Sequence, residues 1–248
     1  MRSLSSHFDS HLGRRLAQLA SCGFVLLTLG ACAKQPATGV AGSTRVLVTL
    51  TVDGRLRDGS RPEDAGIPYI YIVAMNVATV DNPTTLGPTP VISPPWGNGF
   101  VAGDVSHFVW WDPTAVNPYT VYRFVDTTLN NYIPIGIPVN GQITGSNSQT
   151  LQFEIDVDQL ETALPTGQSA RSLQLNLLTM DRFGSTQGSK QWDALGDGNT
   201  AQVNLPITIP LRSSGTYSNS LSGAIEPRGD TPNPDLDIVD WKVEVRVQ

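Results

Sequence analysis

Past residue 31 the chain holds a single histidine, His107, inside the run VSHFVWW at 105–111. A catalytic histidine needs a nucleophile to deprotonate or a metal to hold. No G-x-S-x-G elbow, H-E-x-x-H pair, Cys/His cluster, G-x-G-x-x-G or phosphate loop accompanies it. The reading is a non-enzymatic chain, with His107 bonded to a neighbour on a strand and a hydrolytic site as the rival. Oxygen donors are better represented. Residues 230–240 read DTPNPDLDIVD, with Asp230, Asp235, Asp237 and Asp240 at the entrance to a strand. Hard carboxylate oxygens suit calcium, although the spacing is not that of an EF-hand loop. Two readings stand: solvated aspartates of a Pro-rich turn, or a structural calcium held by Asp235, Asp237 and Asp240, with Asp81, Asn82 and Asp104 as other donors.

Aromatic residues form the third constellation. Val77 to Gly103 contains DNPTTLGPTPVISPPWGNGF, too rich in Pro and Gly for regular structure and longer than most connections in compact domains. Trp96 sits in its PPWGNG segment. A tryptophan there has a flat apolar face for a sugar ring or a partner loop, or it plugs the end of the fold. Trp110 or Trp111, together with Tyr122, would extend the platform; strand parity decides which tryptophan does so.

The elements that carry these residues follow a β pattern. Val46, Val48, Leu50 and Val52 alternate with polar or smaller partners, and so do Leu151, Phe153, Ile155 and Val157. Residues 172–180 (SLQLNLLTM), 202–211 and 237–247 repeat the alternation, whereas 68–76 (PYIYIVAMN) is continuously apolar, as expected of a strand buried on both faces. Residues 105–111 and 119–125 predict a hairpin, and Asp158 to Glu161 a single helical turn. The expectation is an all-β fold, a two-sheet β-sandwich of jelly-roll type with about eight strands and no long helix. Prolines 206 and 210 place the 202–211 segment at an edge.

Residues 1–31 are different. Arg2, Arg14 and Arg15 precede an apolar run, Gly23 to Ala31, that is too short to span a bilayer, and LGAC follows at 29–32. Leu29-Gly30-Ala31-Cys32 resembles the lipobox of bacterial lipoproteins. That resemblance implies a signal peptide at 1–31, lipidation of Cys32 and a flexible tether to residue 43, followed by one domain over 44–248. With Ala33 next, it also implies the outer membrane where the cell is Gram-negative. Cys22 is the only other cysteine, so residues 32–248 have no internal disulfide. Removal of 1–31 leaves 13 basic and 21 acidic residues, a net charge of −8. Without clustered Lys or Arg, nucleic acid is a poor partner.

The strands YIYIVAMN, LQFEIDVDQL and LDIVDWKVEV and the W-G-N-G loop loosely resemble DOMON-like and carbohydrate-binding β-sandwiches of secreted bacterial enzymes. The resemblance implies a binding module, with a polysaccharide as ligand; an envelope protein as partner, in a structural or assembly role, is the alternative. It also raises a third reading, haem held by Met75 and His107.

Overall fold

A computed structural model of the chain describes residues 43–59, 61–62, 69–91, 98–143, 148–182, 190–200, 202–223 and 225–248. Cys32, the segment before it, the tether and Trp96 lie outside the described residues. Sixteen strands occur among them. The first half of the chain contributes β1 (Arg45–Val52), β2 (Ile70–Ala78), β3 (Pro88–Pro90), β4 (Val101–Gly103), β5 (His107–Trp111), β6 (Tyr119–Phe124), β7 (Tyr132–Gly136) and β8 (Asn140–Ile143). The second half contributes β9 (Thr150–Asp156), β10 (Ser172–Met180), β11 (Trp192–Ala194), β12 (Gly196–Asp197), β13 (Gln202–Val203), β14 (Ile207–Pro210), β15 (Gly215–Ser218) and β16 (Ile238–Arg246). One helical turn, α1 (Val157–Leu160), follows β9; the Asp156 side chain caps it by accepting from the Asp158 amide, and a 3₁₀ turn continues it through Glu161–Ala163.

The strands form two main antiparallel sheets. One runs β15-β16-β1-β9-β8 and the other β11-β10-β2-β5-β6-β7, with β14 also pairing β10. The apolar residues of β1, at every second position, meet those of β9 and β16 in register: Val48 stands opposite both Phe153 and Val243. That face packs against Tyr71, Val73 and Met75 of β2, Val109 and Trp111 of β5, and Leu173, Leu175 and Leu177 of β10. The result is the all-β sandwich that the alternation predicts. A bulge between Thr51 and Val52 sets Val52 opposite Ile238. It resets the parity of β16, so Ile238 and Trp241 both turn inward although three residues separate them.

The second face of the seven-stranded sheet is covered as well. Ile70, Ile72 and Ala74 of β2, Phe108 of β5 and Leu178 and Met180 of β10 pack under Phe100, Val101 and Leu129. This explains the unbroken apolar run of β2. It also revises two expectations. The Pro- and Gly-rich connection is not wholly irregular: β3 and β4 pair within it, from Pro88↔Gly103 to Pro90↔Val101. Gly103 takes φ +79, where a Cβ would run into the Gly87 carbonyl, so the ribbon requires glycine at that corner. All nine residues of β10 are buried, not only its apolar ones. Gln174 and Asn176 are hidden because the same connection sits on them: Gln174 Nε2 donates to the Thr85 carbonyl at 2.8 Å and Asn176 Nδ2 to the Pro88 carbonyl at 3.0 Å. The strand count doubles from about eight because β3, β4, β11 and β12 have two or three residues each and β7, β8 and β15 four or five, too few to show a clear period, and because the 202–211 run splits into β13 and β14.

Candidate functional site

The β5–β6 hairpin settles the parity of the aromatic residues. His107 pairs with Arg123, Phe108 with Tyr122, Trp110 with Thr120 and Trp111 with Tyr119. Side chains of one strand alternate between faces, so Trp111 turns into the space between the sheets. It is 2% exposed and packs edge-on to Tyr71 with ring centroids 5.5 Å apart. The expected binding role of Trp111 is therefore overturned, because no ligand reaches a residue in the dry core. Trp110 and Tyr122 take the outer face, half-buried, their centroids 6.3 Å apart and their planes tilted by 38°. Tyr122 lies flat on Phe108 (4.8 Å, 12°), and Tyr132 of β7 stands perpendicular to Tyr122 at 5.4 Å.

Beneath this wall lie the rings of Phe100, Phe108 and Phe124. Burial raises the Tyr122 hydroxyl above its ordinary pKa, opposed by a hydrogen bond with Thr120. Asn98 ties the end of the long connection to the wall. Its Nδ2 donates to the Leu129 carbonyl at 2.8 Å, and its Oδ1 accepts from the Phe100 and Val101 amides. The wall thus stands on a rigid sheet and can present aromatic surface without the ordering entropy of a mobile loop.

The predicted calcium ligands part company. Asp237 is 1% exposed and meets Asp193 and Asp230, with the carboxylate oxygens within 4.8 Å of one another. Asp235 does not join them. Its carboxylate takes two donors from the Arg57 guanidinium, at 3.2 and 2.9 Å, and the Arg55 amide at 2.9 Å. Asp240 lies exposed on β16 and accepts from the Trp241 amide. Asp81 is held by Arg171, and Asp104 accepts from the Leu86 amide. Only one residue of the expected set is thus in the cluster. Asp193 escaped the sequence reading because it lies 37 residues before Asp230, alone among apolar neighbours in WDAL. Its one signal is a carboxylate where a buried strand expects an apolar side chain. Burial pushes Asp193 up to about 8 and raises Asp237 as well.

His107 is fully buried, and its Nδ1 lies 2.9 Å from the Ser106 hydroxyl. Desolvation, with help from the positive charge of Arg123, pushes it down to about 4. Ser106 Oγ in turn lies 3.3 Å from the Met75 carbonyl and accepts from the Val77 amide at 3.0 Å, so it clamps β5 to β2. Met75 and His107 are direct cross-strand partners, both fully buried. Side chains paired on one face of one sheet stand about 5 Å apart at Cβ. They cannot stand on opposite faces of a porphyrin as its two axial ligands, so the geometry opposes the haem reading.

With the fold and these clusters described, the class is a two-sheet all-β sandwich with a half-exposed aromatic wall and a buried acidic cluster. The chain matches no protein-family model, no curated protein and no solved structure.

Proposed function

We propose that the chain is a lipid-anchored extracytoplasmic bacterial protein whose sandwich is a binding module without catalytic activity, with a polysaccharide as its ligand. The observation that carries the binding reading is the Trp110–Tyr122–Tyr132 wall, half-exposed on a rigid sheet. Stacking of apolar sugar faces on aromatic rings needs such a surface, and rings already held in place lose little entropy on binding. Anchoring rests on LGAC at 29–32, which points to a lipidated Cys32 in the cell envelope and, with Ala33, to the outer membrane if the cell is Gram-negative. The lack of catalysis is supported by the enclosure of His107, which solvent and substrate do not reach.

Two measurements test this. Full-length protein from a bacterial host should carry acyl chains on a terminal Cys32 by mass spectrometry, and Cys32→Ser should remain an unlipidated precursor; a lipid-free terminus elsewhere would refute the anchor. On a glycan array the protein should bind at least one polysaccharide class, and Trp110→Ala should lose that signal. Failure of the native protein to bind any glycan would sink the ligand class.

A second reading, assembly with another envelope protein, is favoured by the edge strand β7. Tyr132 and Ile133 on it, with Ile137 and Val139 just after, are 36 to 54% exposed. An edge with apolar side chains is a place for strand addition. Cross-linking from position 133 in the native envelope would capture a defined protein in that case and none in the glycan case.

A further inference from the structure

The acidic cluster lies where the β11 edge of one sheet meets the loop leading into β16 of the other. Asp193 is on β11, and its Oδ2 accepts from the Ile238 amide of β16 at 2.8 Å while its Oδ1 accepts from the Ala194 amide. Asp237 accepts from the Gly229 and Thr231 amides, and Asp230 Oδ2 from the Gly198 amide at 2.9 Å. Backbone donors therefore orient all three carboxylates, yet each oxygen keeps a further lone pair. Asp230 Oδ1 is buried with no hydrogen-bond partner.

A fourth carboxylate supplies the independent observation. Glu226 is 2% exposed. Its Oε2 accepts from the Gly196 amide at 3.0 Å, but its Oε1 is buried with no partner. The charges of Asp193, Asp230 and Asp237 all act on Glu226, so it stands near the aspartates. A buried carboxylate oxygen left unpaired is costly, and four carboxyl groups in one low-dielectric place repel one another unless a proton or a cation stands among them. Lys190 lines the same cavity as Asp193 and Asp230. Its Nζ donates to the Val91 and Gly99 carbonyls, and the carboxylate that acts on it is Asp181.

We propose that Asp193, Asp230 and Asp237 form a calcium site that fastens the β11 edge to the loop before β16, with Glu226 as a further buried carboxylate beside it. The donor set is hard oxygen, and neither His nor Cys joins it among the described residues. Oxygens on opposite sides of a calcium ion stand about 4.6–5.2 Å apart, from bonds of about 2.3–2.6 Å. The oxygens of the three aspartates, within 4.8 Å of one another, fit that span. Magnesium demands a tighter octahedron and retains its waters, so a site made of several carboxylates favours calcium. A cavity of about 430 Å³ lined by Asp193, Gly198, Asp230 and Thr231 leads from solvent to the cluster and gives the ion a way in. The site is independent of what the aromatic wall binds.

The test uses the full-length chain, freed of metal by chelation and titrated with calcium chloride alone. Calorimetry should show one saturable site, with a Kd of about 0.1–1 mM as in extracellular modules. The melting temperature should rise with calcium concentration, because an ion that binds only the folded state stabilises it by mass action. Magnesium chloride should give a much smaller rise. Asp237→Asn should abolish both signals. Asp230→Asn, half-buried and still able to accept from the Gly198 amide, keeps the test valid if Asp237→Asn does not fold; it should weaken binding at least tenfold. Asp240→Asn, outside the cluster, should bind like the native chain. Absence of a saturable signal up to 10-fold above that Kd range, or an unchanged calcium response in Asp230→Asn, would overturn the site and leave a proton-sharing carboxyl cluster.

Discussion

The two faces of the seven-stranded sheet are built from the same strands and do different things. The inner face carries Tyr71, Val73, Met75, Val109, Trp111 and Val121, which pack against the second sheet. The outer face carries Ile72, Phe108, Trp110, Tyr122 and Phe124, and among the described residues Phe100, Val101 and Leu129 pack on it, leaving Trp110 and Tyr122 half-buried. A shift of one residue along β5 moves a tryptophan from the core to the surface. Sheets enforce this because successive side chains point to opposite faces, so parity alone separates a packing residue from a binding residue. The same chemical group should therefore respond in opposite ways to truncation at positions 110 and 111.

The largest effects belong to the inner face. Phe153→Ala and Trp111→Ala should each cost about 3–5 kcal/mol of stability, from lost transfer energy and the cavity left behind. Urea denaturation of each variant reads this directly. A loss below about 1 kcal/mol at Trp111 would mean that the inner face is not the closed core its burial indicates.

Next comes acid. In the unfolded chain His107 titrates at its ordinary value near 6.5, but in the fold it is held at about 4. Between those pH values the unfolded state takes up a proton that the folded state refuses. The stability contributed by the neutral imidazole is complete above pH 6.5 and is lost as pH falls toward 4, to a total of about 3 kcal/mol. Asp193, Glu226 and Asp237 have raised values and act in the other direction, so the effect is read as a difference. From pH 7.5 to pH 4 the native chain should lose about 3 kcal/mol more than His107→Gln. Parallel pH profiles for the two would show that position 107 is not proton-linked to folding.

Much of the inner face was legible in the sequence, and the reason is local. Val46, Val48 and Leu50 or Leu151, Phe153 and Ile155 declare a one-sided strand by their period, and the run at 70–75 declares a two-sided one. The outer face was less legible because its cover is non-local. Gln174 and Asn176 look solvent-facing in SLQLNLLTM and are buried only because Thr85 and Pro88, almost 90 residues earlier, come to bond them. The acidic cluster was half legible for the same reason. Asp230 and Asp237 are near neighbours in an obvious acidic run, but Asp193 and Glu226 join them only through pairing between β11, β10 and the loop into β16. Asp235 sits in the same run and goes elsewhere, because Arg57 claims it.

A smaller effect separates the aromatic wall from the core. Trp110→Ala should weaken polysaccharide binding by about 2 kcal/mol, near thirtyfold, as expected for an aromatic anchor. Its cost in stability should be below that of Trp111→Ala, since Trp110 is only partly buried whereas Trp111 is 2% exposed. Affinity electrophoresis and a melting curve on the same variant give both numbers. If the melting temperature falls as far as in Trp111→Ala, the wall is structural and the parity argument fails at this position.

The smallest effect is the one that separates the two proposed partners. Tyr132 meets Phe100, Phe108, Tyr122 and Phe124 edge-on, at centroid distances from 5.1 to 6.0 Å. Edge-to-face pairs contribute about 0.5–1.5 kcal/mol beyond area burial, and a residue more than a third exposed recovers part of its loss through solvation. Tyr132→Ala should therefore cost about 1 kcal/mol in stability. Its effect on glycan affinity should be of the same size or larger, because Tyr122 loses the ring that holds it upright against Trp110. The adjacent Ile133→Asp points to the opposite side of β7 and touches no ring of the wall. In the glycan reading it leaves affinity unchanged. In the assembly reading it places a charge on the edge strand and abolishes association with the envelope partner, while Tyr132→Ala has the weaker effect. The order of these two variants in one binding assay thus decides which side of β7 does the work.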